Sequence, residues 1–382
     1  VDLPRREKLH YLELVRGLSA LAVCGFHVRH YMFGDWAAHH GSNILWRAFF
    51  LLTSFGHQAV IVFFLLSGLV IYKSVSDERA SSYAIDWVAY AWRRFSRLWI
   101  VLIPALILTA TWDFIGHNWF DSDFYSGSVG PISVAPYYRT EIAGYSILAF
   151  LGNILFLQTI IVPTFGTNGP LWSLANEAFY YALFPFLTLL AGVRKTRTPI
   201  VVASVVVVVA ALVVCPPSIS LYGIIWLFGA LAFHLGLRVS WHPVVRRVFL
   251  GAALAVFAMT LVAEKVANFE GVTADFILGA AFFPVLLPLV TMYPKSNVLL
   301  ELGAKLSKFS FTLYVVHLPF FGLLWSVALR GARLPLNLFG ITAYTVVVAV
   351  VLAYAYGVYL LFEKHTGGLQ RLVMRRISKP KL

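Results

Sequence analysis

Of the 382 residues, 60% are hydrophobic and 12% are charged, against about 25% charged in an ordinary soluble domain, and the mean hydropathy is +0.79. These values exclude a soluble globular domain and indicate a polytopic, all-α membrane protein. The net charge of +13 does not point to nucleic acid, because the lysines and arginines lie in short patches between apolar runs, as topology signals do.

The first run, 10–32, follows the basic flank "PRREK". It is long enough to span and shows no small-residue cleavage site, so a cleavable signal peptide is not expected. Within it Arg16 and His27 are separated by ten residues. On a helix that spacing returns to within about 20° of the same face and rises about 16 Å. Glu13 and His30 fall near the same stripe, while the opposite face is Leu, Ala and Val. A stripe of ionisable groups in a span faces the bundle interior and marks a substrate path; the plain alternative is that backbone carbonyls or interfacial water satisfy both. His30 and Asp35 also match a short histidine–aspartate spacing of glycerolipid acyltransferases, a pattern too brief to carry weight.

The second run, 57–74, contains "SGLVI", which puts Ser67 and Gly68 toward its inner end, where small residues allow close helix packing. The third, 95–116, begins with "AWRRFSRLW". Arg94 and Arg97 lie one turn apart, so two guanidinium forks point the same way, which suits phosphate. Arg93, Arg94 and Arg97 also suit a purely topological or lipid-binding role. The loop 117–145, rich in aromatic, acidic and Gly/Ser residues, is expected to cover a polar ligand.

The run 146–162 carries Asn153 and Gln158 and precedes the uncharged loop "VPTFGTNGP". It is expected to be re-entrant or interfacial. In "GPLWSLANEAFYYALFPF", opening the run 171–192, Glu177 is read as the one carboxylate well inside a span apart from Glu13, at a depth comparable to His27. A carboxylate that orients an imidazole recurs in general-base sites; alternatively Glu177 pairs with an arginine for structure. Four further runs follow at 199–215, 219–237, 248–263 and 273–292. The run 309–329 places His317 in "SFTLYVVHLPFF", suited equally to a site and to packing, and 338–362 is the last. The two cysteines, Cys24 and Cys215, lie in or at the ends of apolar runs and support neither a disulfide framework nor a thiolate metal site.

Eleven runs with basic patches at both ends of the chain conflict, because the positive-inside rule then asks for an even number of crossings. Removing 146–162 gives ten spans, both termini cytoplasmic, and places 23 of the 30 Lys and Arg residues inside. Residues 1–382 then read as a single transmembrane domain without an attached soluble one.

Taken together, the Arg16–His27 pair, "FFLLSGLVI", the Arg94–Arg97 pair, "PLWSLANEAFYY" and "LYVVHLPF" resemble the integral-membrane acyltransferase-3 family, whose members O-acylate sugars and other hydroxylated compounds. The resemblance implies an acyl-CoA donor, acetyl-CoA first, entering from the cytoplasm as co-substrate with no permanently bound cofactor or metal. It implies a hydroxyl of a cell-envelope carbohydrate or glycolipid as acceptor and the bacterial inner membrane as location. Arg93, Arg94, Arg97 and Ser67 are then donor-site residues, and His27, Glu177 and Arg16 form the reacting centre, with Glu177 orienting His27. His317, Trp172 and Glu13 are further site candidates. Membrane lipids are the other expected partners, nucleic acid is not one, and a homo-oligomer is compatible with the sequence. The rival reading is a proton-coupled transporter or flippase of a sugar-containing or anionic substrate, which ten spans with intramembrane Arg, His and Glu also suit.

Overall fold

In hydrocarbon no water is available to the peptide groups, so each apolar run must satisfy its backbone internally, and it does so as a helix. The computed structural model of the chain describes residues 10–34, 43–81, 85–120, 123–126, 145–191, 197–292 and 297–377. Its helices are α1 (His10–Phe33), α2 (Ile44–Leu52), α3 (Gly56–Ser81), α4 (Trp87–Trp119), α5 (Asp123–Ser126), α6 (Ile147–Ile154), α7 (Trp172–Ala191), α8 (Thr198–Val214), α9 (Pro217–Gly236), α10 (Pro243–Val266), α11 (Val272–Leu289), α12 (Val298–Lys308), α13 (Ser310–Leu329), α14 (Leu338–Leu361) and α15 (Thr366–Ile377). Among the described residues nine helical segments are long and apolar enough to cross a membrane, and α8 is a shorter apolar helix. No strand occurs among these residues; a single bridge joins Gln158 and Val162. The protein is an all-α polytopic membrane protein.

The run 146–162 does not form one helix. Ser146 caps α6 by accepting from the Ala149 N–H, and the helix ends at Ile154. Eight residues rise only about 12 Å, well short of the ~30 Å of hydrocarbon. Beyond it the backbone turns through positive φ at Phe156 (59°) and Thr159 (66°). Asn153, completely buried, holds the returning chain: its amide donates to the Pro163 carbonyl at 2.9 Å and accepts from the Phe165 N–H at 3.2 Å. The polar residues that weaken this run as a span are thus the ones that tie its irregular backbone.

The chain divides into two compact units. One comprises Ile61–Phe95 and Ser173–Ser296, with the chain up to Leu12. Its tightest seam is between α3 and α9. A Cβ on Gly68 would stand 1.9 Å from the Trp226 carbonyl oxygen, and one on Gly229 would stand 1.8 Å from that of Leu65. The two backbones touch where each helix offers the other a glycine. α9 also packs on α11, where Tyr222 donates to the buried Asp275 carboxylate at 2.8 Å.

The other unit comprises Glu13–Val60, Ser96–Trp172 and Asn297–Leu382. Its centre is α13, buried without interruption from Ser310 to Pro319. α1 runs beside α12 at a second glycine seam, where a Cβ on Gly17 would meet the Gly303 carbonyl at 2.7 Å. The Tyr344 hydroxyl of α14 donates to the Gly25 carbonyl at 3.2 Å.

Filling a backbone contact forces helices apart, at a cost of about 1–3 kcal/mol. Gly229→Ala is therefore expected to lower stability by that amount in detergent, measured by thermal or denaturant unfolding. Gly357→Ala, whose Cβ would meet nothing within 4 Å, is expected to be neutral; equal behaviour of the two variants would remove the α3–α9 seam as the cause.

Candidate functional site

α13 carries Pro319, which has no N–H to give the carbonyl four residues back. That carbonyl belongs to Val315, and in hydrocarbon it must find another donor. Asn168 supplies it: its amide donates to the Val315 carbonyl at 2.8 Å and to the Thr109 hydroxyl at 3.1 Å. Next to it the Tyr314 hydroxyl donates to the Pro170 carbonyl at 2.9 Å. The turn of α13 from 314 to 317 is thereby clamped to the segment 163–171. That segment is in turn held to α4 by Asp113, whose carboxylate accepts from the Thr167 N–H at 2.9 Å and hydroxyl at 2.7 Å.

His317 sits at the end of this clamped turn, fully buried. Its Nδ1 lies 3.0 Å from the Leu313 carbonyl and 2.8 Å from the Tyr314 carbonyl. Carbonyl oxygens only accept, so Nδ1 carries the proton and Nε2 of the neutral ring is an acceptor. Nε2 faces Nδ1 of His27 at 3.0 Å, and that Nδ1 also lies 2.9 Å from the Val23 carbonyl. Two acceptors converge on it, so His27 too is protonated on Nδ1. Its Nε2 is then left with a lone pair, buried and without a hydrogen-bond partner among the described residues. An imidazole with its Nδ1–H fixed and its Nε2 bare is arranged as a base.

Arg16, Glu13 and His30 share α1 with His27, all half-buried, and the helix is continuous through them, so the eleven-residue step from Arg16 to His27 holds as helical spacing. Arg29, two residues beyond His27, is buried: it donates to the Gly34 carbonyl at 3.0 Å and lies over the Phe26 and Phe50 rings, 5.3 and 5.0 Å from their centroids. Trp172 is buried and stacks on His57 with centroids 6.2 Å apart. Asp35 lies outside the described residues, as does most of the outer loop.

The second constellation belongs to the other unit. Glu177 on α7 accepts on Oε1 from the Ser67 hydroxyl at 2.8 Å and from the Tyr181 hydroxyl. The Trp226 indole donates to Ser67 at 3.1 Å, beside the Gly68 contact one residue on. Pro185 frees the Tyr181 carbonyl as Pro319 frees that of Val315, and here the Tyr90 hydroxyl caps it at 3.3 Å. Arg94 lies over the Tyr90 ring at 5.7 Å, so Ser67, Glu177 and Arg94 belong to one connected group. Arg93 is salt-bridged to Glu78 at 2.7 Å. Arg97 follows Arg94 by one turn of α4.

Within its own unit His27 has a hydrogen-bond partner in His317, and Glu177 has partners in Ser67 and Tyr181; the expected orientation of His27 by Glu177 would join residues of different units. Sequence reasoning missed Tyr181, Trp226, Tyr90 and Asn168. Tyr181 was legible as the residue one turn after Glu177, and Tyr90 and Asn168 answer carbonyls that Pro185 and Pro319 expose. It also missed the buried Asp113 and Asp275, so Glu177 is not alone as a carboxylate within the apolar helices.

The family model described as an acyltransferase domain, that of the acyltransferase-3 family, matches residues 9–354. No curated protein and no solved structure matches the chain. The matched region runs from α1 into α14 and contains both histidines, Glu177, Ser67 and the arginines of α4; the chain belongs to the acyltransferase-3 family of membrane acyltransferases.

Proposed function

We propose that this acyltransferase moves an acyl group, acetyl first, from cytoplasmic acyl-CoA to a hydroxyl of a carbohydrate or glycolipid acceptor, in a bacterial inner membrane with both termini cytoplasmic. The observation that carries the reading is the bare, buried Nε2 of His27, whose other nitrogen is already committed. Acyl transfer to a hydroxyl needs a base that takes one proton and then returns it. His27 Nε2 removes the acceptor O–H proton as that oxygen attacks the thioester carbonyl. The C–S bond breaks as the tetrahedral carbon collapses, and the departing CoA sulfur takes the proton back from the imidazolium. Arg94 and Arg97 hold donor phosphates, with Arg93 and its Glu78 partner bracing the helix end. Ser67 and Glu177 belong to the donor side through the group that includes Arg94, and Arg16 supplies positive charge on the His27 helix.

The test is to incubate the purified protein with acetyl-CoA and a panel of glycans, following free CoA and acceptor mass. CoA-dependent acetylation is expected; substrate movement without CoA consumption would favour a carrier.

Removing the base should be felt in turnover and not in donor binding. His27→Ala is expected to lower acyl transfer by about 10²–10⁴ while CoA binding stays within twofold to threefold; near-wild-type turnover would sink the mechanism. Adding Glu177→Gln reports whether Glu177 acts with His27: a small further loss means one unit, fully additive losses mean separate roles.

Donor binding should respond the other way round. Arg97→Ala is expected to weaken CoA binding by about 1.5–3 kcal/mol for a lost charge-assisted contact, read by calorimetry or competition. An unchanged dissociation constant in a folded Arg94→Ala/Arg97→Ala protein would return both residues to topology.

A further inference from the structure

We infer that His317 is a positioning residue for His27: a neutral imidazole whose Nε2 accepts from His27 Nδ1–H, fixes the tautomer in which His27 Nε2 is the base, and stabilises the cation that forms there. The inference rests on the proposed role of His27 and adds to it the group through which the protein sets that role. It does not need substrate contact by His317.

Three features of the structure carry it. The first is the direction of the hydrogen bonds. His317 Nδ1 faces two carbonyls at 2.8 and 3.0 Å, which forces its proton onto Nδ1 and its lone pair onto Nε2. The opposite assignment would set a nitrogen lone pair against two oxygen lone pairs in a buried site, leaving both acceptors unsatisfied. From that one constraint the 3.0 Å contact to His27 Nδ1 has a single sense, with His27 donating.

The second is rigidity. The Val23 carbonyl, on the same helix as His27, already lies 2.9 Å from its Nδ1, but it follows every movement of α1. His317 belongs to a different helix, and its turn is fixed from outside by Asn168 on the Val315 carbonyl and by the Tyr314–Pro170 bond. It therefore fixes the ring orientation of His27 against the rest of its unit, as a base within hydrogen-bond reach of its proton requires.

The third is charge. When His27 takes the acceptor proton on Nε2, both of its nitrogens carry protons and Nδ1–H becomes a charge-assisted donor. The acceptor it points at is a neutral nitrogen that needs no rearrangement to receive it. During the step the hydroxyl proton moves to His27 Nε2 and later to the leaving sulfur; His317 gains and loses none.

The experiment combines tautomer and kinetics. In protein labelled with ¹⁵N-histidine, the wild-type His27 signal, assigned through its loss in His27→Ala, is expected to show a protonated Nδ1 and an unprotonated Nε2. His317→Leu, which removes the acceptor, is expected to mix the tautomers and lower kcat by at least about tenfold while the KM for acyl-CoA changes less than about threefold. His317→Gln, whose amide oxygen can stand in for Nε2, should recover most of that loss. Wild-type His27 protonated on Nε2, or kcat of His317→Leu within threefold of wild type, would overturn the inference even if His27→Ala is inactive. If His317→Leu fails to fold, the wild-type tautomer and the His317→Gln kinetics decide alone. An active His27→Ala would instead remove the parent mechanism, and the two failures are thus distinguishable.

Discussion

A polar group inside an apolar helix bundle must find its partner in the protein, and in this molecule two of the carbonyls exposed by helix prolines meet that requirement beside the candidate site. Pro185 and Pro319 each delete one helical hydrogen bond. The carbonyls they leave, those of Tyr181 and Val315, are capped by Tyr90 and Asn168. Both caps act across helices or segments distant in sequence, and both land within two residues of a side chain of the candidate site: Tyr181 itself, which donates to Glu177, and His317, two positions beyond Val315. A proline in the middle of a span is commonly a source of a kink. Here each also acts as a docking point that immobilises the turn beside it.

Glycine seams provide the complementary condition. The reciprocal Gly68 and Gly229 contacts bring the backbones of α3 and α9 together beside Ser67, which accepts from the Trp226 indole of α9 at 3.1 Å. Because lipid tails are as apolar as leucine, burial gives little drive to associate helices, and close van der Waals contact does more of the work. Ser67 then completes a set that no single helix could assemble: a hydroxyl from α3, a carboxylate and phenol from α7, and an indole from α9. The polar contacts are consequences of the seam as much as contributors to it.

What the sequence disclosed follows the range of the interactions involved. The spans were legible because a run of apolar residues about 20 long has few alternatives to a helix in a bilayer. The failure of 146–162 to span was legible from Asn153 and Gln158, since buried amides need partners that a lipid-facing helix lacks. Arg16 and His27 on one face were legible because helical geometry is local. The bond from His27 to His317 was not, because it joins residues 290 positions apart and no periodicity encodes it. Both histidines could be singled out while their relation could not. The expected pairing of His27 with Glu177 used a general preference for carboxylates beside imidazoles; the local alternatives, Tyr181 one turn away and the carbonyls behind each histidine, rest on side-chain directions that one-dimensional patterns do not contain.

On the role inferred for His317, a histidine rather than a carboxylate as the orienting group has a physical rationale in this setting. A buried carboxylate beside His27 would stabilise the imidazolium strongly, but it would remain charged through every stage of the cycle in which His27 is neutral. An isolated ion at membrane depth is costly on any scale, and its desolvation penalty is only offset when the opposite charge is present. A neutral imidazole has no such resting cost. It needs one donor-side partner, which the Leu313 and Tyr314 carbonyls provide, and it presents its lone pair whether or not His27 is charged. Apart from the bare Nε2 of His27, the ring nitrogens of the pair are therefore satisfied by ordinary hydrogen bonds, and on the proposed mechanism the pair is charged only while a proton is in transit. On this reasoning the imidazole pair adds no permanent charge of its own at the depth where the proton moves, while a permanent charge of the first span, that of Arg29, is held by the Gly34 carbonyl and the Phe26 and Phe50 rings.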